Sequence, residues 1–204
     1  MAAMARWEPD ARGRLEKAAM ELFQKRGYVQ TTVEDIAAHA GLTERTFFRY
    51  FTDKREVLFS GSKDLEQTIV ERIQSASGEA STLEVVVGAF EAAGAALQER
   101  RDLNFVRARY ALVSKHSEIQ ERELIKLASL AAAVTKALHA RGVAEPAASL
   151  AAEAGIAIFK IGFERWVRER KQHDFAAHIR EAAATLQALT SGGKAQAAPA
   201  RARR

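Results

Sequence analysis

The chain has 204 residues, with 31 Lys and Arg against 26 Asp and Glu, 48% hydrophobic residues and no cysteine. Disulfide frameworks, thiolate metal sites and cysteine nucleophiles are thereby excluded, and no run approaches the ~18 apolar residues of a membrane span. Four of the five net positive charges lie in the last fourteen residues, "SGGKAQAAPARARR", which hold Lys194, Arg201, Arg203 and Arg204 and no acid.

The start, "MAAMARWEPDARGR", lacks the apolar stretch of a secretory signal, so a cytoplasmic setting is expected. Leu15, Ala18, Ala19, Leu22 and Phe23 then recur at i, i+3, i+4, i+7 and i+8, the core-facing stripe of a helix. It should stop at Gly27, after Lys25 and Arg26. Thr32, with Asp35 three residues on, is an N-cap signal for a second short helix carrying Val33, Ile36, Ala37 and Ala40 and ending at Gly41. Thr43 caps a third, "ERTFFRYF". Asp53 is expected to cap a longer fourth, with Val57, Leu58, Leu65, Ile69 and Ile73 along one side. From residue 82 to about 190 the chain reads as Ala-rich amphipathic helices. Breaks fall near Glu99–Asp102, near His116–Ser117, at 141–147 and at 171–174. The expectation is an all-α protein of about nine helices.

The third helix raises the functional question. At 100° per residue Phe47, Tyr50 and Phe51 share one face, and Arg45 and Arg49 fall nearly opposite. A short capped helix, a glycine turn and a second capped helix with an aromatic anchor form helix-turn-helix anatomy. In that arrangement the second helix enters the DNA major groove. Arginine there can bond guanine O6 and N7 with both prongs. Residues 1–60 hold ten Lys and Arg against nine Asp and Glu, so a DNA reading rests on placement and not on bulk charge.

The stretch "LEKAAMELFQKRGYVQTTVEDIAAHAGLTERTFFRYFTDKREVL", residues 15–58, resembles the DNA-binding domain of the TetR family of bacterial transcriptional regulators. The resemblance implies an N-terminal arm and head over residues 1–58 and a helical ligand-binding and dimerisation domain over 59–190. A basic disordered tail would follow over 191–204. Carried over by position, it implies phosphate contacts for Thr32, Thr46 and Lys54, and base or groove contacts for Thr43, Glu44, Arg45, Phe48 and Arg49. Phe48 departs from the pattern, since a tyrosine is usual there. An apolar contact with a thymine methyl or a sugar would substitute for the lost hydroxyl.

"RARYALVSKHSEIQERELIKLASLAAAVTKALHARGV" and "AAEAGIAIFKIGFERWVRER" resemble the regulatory domain of TetR members that bind acyl-CoA-like ligands. That implies a hydrophobic effector, with Phe90, Phe105, Arg109, Tyr110 and Phe163 as candidate lining; Arg107 and Arg109, two residues apart, cannot both face the core, and one of them would reach inward to pair with an acid or with an anionic ligand group. The family also implies a homodimer joined through the last two helices, with Ile156, Phe159, Phe163, Trp166, Ile179 and Leu186 as candidate interface residues. Packing within one chain is the alternative for those stripes. The double-stranded partner would be a palindromic operator, and the protein a repressor.

Enzyme chemistry has little to stand on. None of the five histidines has HExxH or paired metal spacing, and there is no Gly-x-Ser-x-Gly elbow or Gly-rich phosphate loop. Asp174, His178 and Glu181 share a helical face, which reads as an exposed salt-linked surface. No metal and no cofactor are expected. A purely helical interaction module explains the apolar stripes but not the arginines of the third helix.

Overall fold

The computed structural model describes residues 10–169 and 174–191. The basic tail, the first nine residues of the arm and 170–173 lie outside the described residues. Nine α-helices are described, with one 3-10 turn and no strand among the described residues. They are α1 (Ala11–Arg26), α2 (Val33–His39), α3 (Glu44–Tyr50), the 3-10 turn (Glu56–Phe59), α4 (Ser62–Ser75), α5 (Thr82–Arg100), α6 (Leu103–Lys115), α7 (Ser117–Ala140), α8 (Ala147–Arg168) and α9 (Phe175–Thr190). No described helix is long and apolar enough to cross a membrane.

The chain divides into two compact units. The first comprises the residues up to Lys63 with Asp102–Lys126, and the second Asp64–Arg101 with Leu127 onward. Helix α7 thus begins in the first unit and ends in the second.

In the first unit the predicted stripe of α1 is buried from Leu15 to Phe23 and meets Ile36 and Ala37 of α2, Phe47 of α3 and Phe51 beyond it. Val113 of α6 and Ile119 of α7 join the same core. The expected fourth helix does not begin at Asp53. Its carboxylate accepts from the backbone N–H of Arg55 (2.7 Å) and of Glu56 (3.3 Å) and so starts the 3-10 turn. Ser60 and Gly61 then separate that turn from α4. Val57 and Leu58 are therefore core residues of the first unit, while Ile69 and Ile73 are buried in the second.

The second unit is built on the close approach of α5, α8 and α9, made possible by three glycines. A Cβ on Gly155 of α8 would stand 2.5 Å from Val86 and 2.6 Å from Phe90, both on α5. One on Gly162 would lie 3.1 Å from the backbone nitrogen of Ile179 on α9, and one on Gly94 2.8 Å from the Ile179 side chain. Aromatic rings fill the remaining space, with Trp166 and Phe175 stacked at 4.8 Å. At the far end, Arg141 donates to the carbonyls of Ile73 (3.0 Å), Ala76 (2.8 Å) and Ser77 (3.0 Å), which closes the C-terminus of α4.

Candidate nucleic-acid interface

Helix α2 starts where Thr32 and Asp35 cap it reciprocally. The Asp35 N–H donates to the Thr32 hydroxyl (3.0 Å), and the Asp35 carboxylate accepts from the Thr32 N–H (3.0 Å) and hydroxyl (2.8 Å). Those bonds to Thr32, with Arg26 at 3.3 Å, hold the Asp35 carboxyl below its ordinary range. Both hydrogen-bonding roles of Thr32 are occupied by the cap, which leaves its hydroxyl less suited to a phosphate than the family pattern implies.

The turn after α2 is a Schellman closure. The N–H of Leu42 reaches the carbonyl of Ala37 (2.8 Å), and that of Gly41 reaches Ala38 (2.9 Å). Gly41 sits at φ 66°, the left-handed conformation such a stop requires. Arg14 reaches across from α1 to the carbonyl of Ala40. Its position cannot be read from local sequence, because it depends on how α1 crosses α2. Thr43 then caps α3 by accepting from the Thr46 N–H (3.2 Å), with the two hydroxyls 3.1 Å apart.

On α3, Phe47 is fully buried and anchors the helix. Thr43, Glu44, Arg45, Phe48 and Arg49 are exposed together on its outward side, with Thr46 half-buried beside them. Arg45 has no hydrogen-bond or ion-pair partner among the described residues. Arg49 donates to the Tyr50 hydroxyl (3.0 Å), and its guanidinium lies 4.9 Å from the Tyr50 ring centroid. Tyr50 was expected within the buried aromatic cluster. It is 39% exposed instead, because Phe47 and Phe51 already fill that face and its ring supports Arg49.

Lys54 is engaged within the head. Its ammonium donates to the carbonyls of Tyr28 and Thr31, both at 2.9 Å, and lies 4.4 Å from the Tyr28 ring centroid. The charge expected on a phosphate ties α3's exit to the α1–α2 loop. Other cations of this unit serve similar ends. Arg12 donates to the carbonyl of Ser60, and Arg55 pairs with Asp53 at 2.8 Å. Arg122 and Lys126 of α7 both bind Glu56 of the 3-10 turn, Lys126 at 3.0 Å.

Among the candidate ligand residues, Phe90 and Phe163 belong to the second unit and Phe105, Arg109 and Tyr110 to the first. Phe90 is fully buried core. Arg109 donates to the Leu58 carbonyl (2.7 Å) and to Glu123 (3.1 Å) and lies 5.0 Å from the Phe59 ring centroid. Of its two expected partners, the acid is the one the structure supplies. Phe105, Tyr110 and Phe163 are half-buried.

Four of the dimer candidates take the within-chain packing that the sequence left as the alternative. Ile156, Phe159, Trp166 and Ile179 are all buried within a single chain, between α5, α8 and α9. The outward side of α8 carries Leu150, Ala157 and Ile161, and that of α9 carries Ala184, Ala188 and Leu189. Leu186 lies half-buried beside them. Of the Asp174–His178–Glu181 face, expected as an exposed salt-linked surface, Asp174 and Glu181 are exposed and His178 is not. His178 is buried, with its Nε2 2.8 Å from Glu169 and its Nδ1 4.0 Å from Glu181, while Asp174 pairs with Arg180 at 3.6 Å. No group of residues suited to a metal ion occurs among the described residues.

Residues 15–60 match the profile of the family "Bacterial regulatory proteins, tetR family". The chain is 35% identical over 81 residues to the HTH-type transcriptional regulator TcmR of Streptomyces glaucescens, a stretch covering 40% of this chain and 36% of that protein. It is 34% identical over 65 residues to a fatty acid metabolism regulator protein of Bacillus subtilis (strain 168), covering 32% of this chain and 34% of the relative. The match thus spans about a third of the length of each curated relative. Over almost its whole length the fold is similar to that of Thermus thermophilus FadR, a TetR-family transcriptional repressor solved with lauroyl-CoA. The TM-score is 0.55 at 22% identity, covering 94% of this chain and 100% of that one.

Proposed function

We propose that this chain, which carries a tetR-family head on a TetR-like helical fold, is a ligand-responsive transcriptional regulator. It would bind operator DNA as a homodimer and be released by a hydrophobic small molecule. The carrying observation is how the head uses its cations. Arg12, Arg14, Lys54 and Arg55 are engaged by carbonyls and acids of the head itself. Arg45 and Arg49 stay exposed on the one short helix shaped to enter a groove. A surface helix of a module without nucleic acid has no need to hold an arginine outward on a tyrosine platform.

Dimerisation would use the outward side of α8 and α9 around Ile161 and Leu150, which are 54% and 67% exposed. A two-fold pair sets its recognition helices about one DNA turn, ~34 Å, apart and demands a palindromic site. Repression would follow from occupying that site. The effector would favour a dimer state whose heads no longer match the groove spacing. An acyl-CoA-like effector is supported by the ligand of the Thermus relative and by the name of the Bacillus one. With Phe90 in the core and Arg109 engaged, Phe105 and Tyr110 of the first unit and, separately, Phe163 of the second are the side chains to test for an effect on its binding.

Selection of bound duplexes from a random pool tests the reading. The expected product is a family of sites with two-fold symmetry, released by acyl-CoAs that also raise the melting temperature through mass action. Recovery of unenriched DNA would remove the regulator assignment. Release by flat aromatic compounds, with no effect of any acyl chain length, would leave the regulator and remove the acyl effector.

A further inference from the structure

The Ala40–Gly41 peptide is the joint between α2 and α3. Helix α2 ends at His39 and Thr43 caps α3, so only Gly41 and Leu42 lie between Ala40 and that cap. Such a joint is loose by itself. Glycine tolerates both signs of φ, so the peptide plane before Gly41 can turn over at little cost, and a turned plane would send α3 off in another direction. Here the plane is held at both ends. Its N–H donates to the Ala38 carbonyl (2.9 Å), and its C=O accepts from the Arg14 guanidinium. Both groups belong to one rigid unit, so holding the two fixes its rotation.

The hold on the carbonyl comes from outside the motif. Ala40 is buried, and its C=O is among the last of α2, for which the helix itself supplies no N–H. The donor is brought by α1, where Leu15, next to Arg14, is fully buried in the head's core. The guanidinium also stands where a side chain at position 41 would go. A Cβ on Gly41 would lie 2.9 Å from Nη2 of Arg14. Glycine there serves two ends, the left-handed φ of 66° and room for the arginine. Resting on the reading of α3 as the groove-entering helix, we propose that Arg14 is a positioning residue for DNA recognition. It sets from α1 the direction in which α3 leaves α2, and makes no phosphate contact of its own.

Fluorescence anisotropy on the full chain tests it, well below the melting temperature, with a duplex selected from a random pool and a random duplex of equal length. Arg14→Met keeps the stem and removes the donors. Its preference for the selected duplex should fall about tenfold, the lower end of what a charged hydrogen bond contributes. Its affinity for the random duplex and its salt dependence should stay those of wild type. Arg14→Lys retains a donor and should restore most of the preference. Gly41→Asn tolerates the left-handed φ, but its Cβ displaces the guanidinium. It should reproduce the loss, and adding it to Arg14→Met should cost little more. An unchanged preference in Arg14→Met overturns the proposal, as does full additivity of the two substitutions. Equal loss on both duplexes with a salt slope lower by about one, as for a phosphate contact, overturns it too. If Arg14→Met does not fold, Gly41→Asn decides alone: reduced preference supports the proposal and wild-type preference overturns it. These variant results leave the DNA-binding reading intact. A wild-type chain with no preference for the selected duplex removes that reading and the proposal together.

Discussion

Arg45 and Lys54 carry the same charge to opposite ends. Arg45 stands exposed and without a partner among the described residues, whereas Lys54 is anchored on two carbonyls at 2.9 Å. Arg45→Ala should leave the melting temperature unchanged, weaken binding to the preferred duplex by ~1–3 kcal/mol and relax selection at one base position per half-site. Lys54→Met keeps the stem over Tyr28 and removes the donors. Hydrogen bonds involving a charged group contribute about 1.5–3 kcal/mol each, and two buried carbonyl acceptors would be left to water or to nothing. A lowered melting temperature should therefore precede any change in sequence preference. A binding-site selection and a thermal scan on each variant separate the two roles. Uniform loss of affinity in Lys54→Met with full stability would return that lysine to the phosphates.

At the scale of elements, the 3-10 turn is held by charge and the second unit by close packing. Burial alone would push the Glu56 carboxyl up, but hydrogen bonds from Arg122 and Lys126 outweigh it and hold the group below its ordinary value of 4.5. A carboxylate depressed in the fold contributes stability above its unfolded pKa and loses it as pH falls through the lower folded value. Stability should decline as acid is added below about pH 4.5, and Glu56→Gln should lower stability at neutral pH while flattening that decline. Unfolding curves taken from pH 7 to pH 3 on both proteins check it. In the second unit, Gly155→Ala forces a Cβ against Val86 and Phe90 and should destabilise by ~1–3 kcal/mol. Gly88→Ala on α5 meets nothing within 4 Å and should gain up to about 1 kcal/mol from helix propensity. Denaturant titrations of the pair should move in opposite directions.

These elements also show how far local sequence reaches. The caps at Thr32 and Thr43 and the stops at Gly27 and Gly41 were legible because each is a contact between residues within a turn of one another. The break at Ser60–Gly61 was not, because Val57, Leu58, Leu65, Ile69 and Ile73 keep helical phase across it. The α8 stripe was found, but its neighbour was left open between the same chain and a second one. Periodicity shows that Ile156, Phe159 and Trp166 are buried, not whether α5 and α9 of the same chain or a second chain buries them. The carbonyl partners of Arg14, Lys54 and Arg109 were out of reach for the same reason, since each is supplied by a distant element.

For the whole molecule, the exposed Leu150 and Ile161 of α8 and Leu189 of α9 predict assembly. Ile161→Glu places a charge on the outward side of α8, away from the buried residues of the chain's own core. It should convert a micromolar dimer to monomer in sedimentation, with the helical content kept. A monomeric wild-type chain at that concentration would remove the dimer and the palindrome with it. The central claim, that α3 makes this chain a sequence reader of DNA, is tested most directly by one binding experiment. Affinity is measured by fluorescence anisotropy for a selected duplex and a random duplex of equal length between 50 and 200 mM salt, the range over which phosphate contacts are strongly titrated. The account predicts a steep fall with salt on both duplexes and a preference of at least about 10³-fold for the selected one, lost in the Arg45→Ala, Arg49→Ala double variant. Weak, salt-insensitive binding that does not distinguish the two duplexes would contradict it.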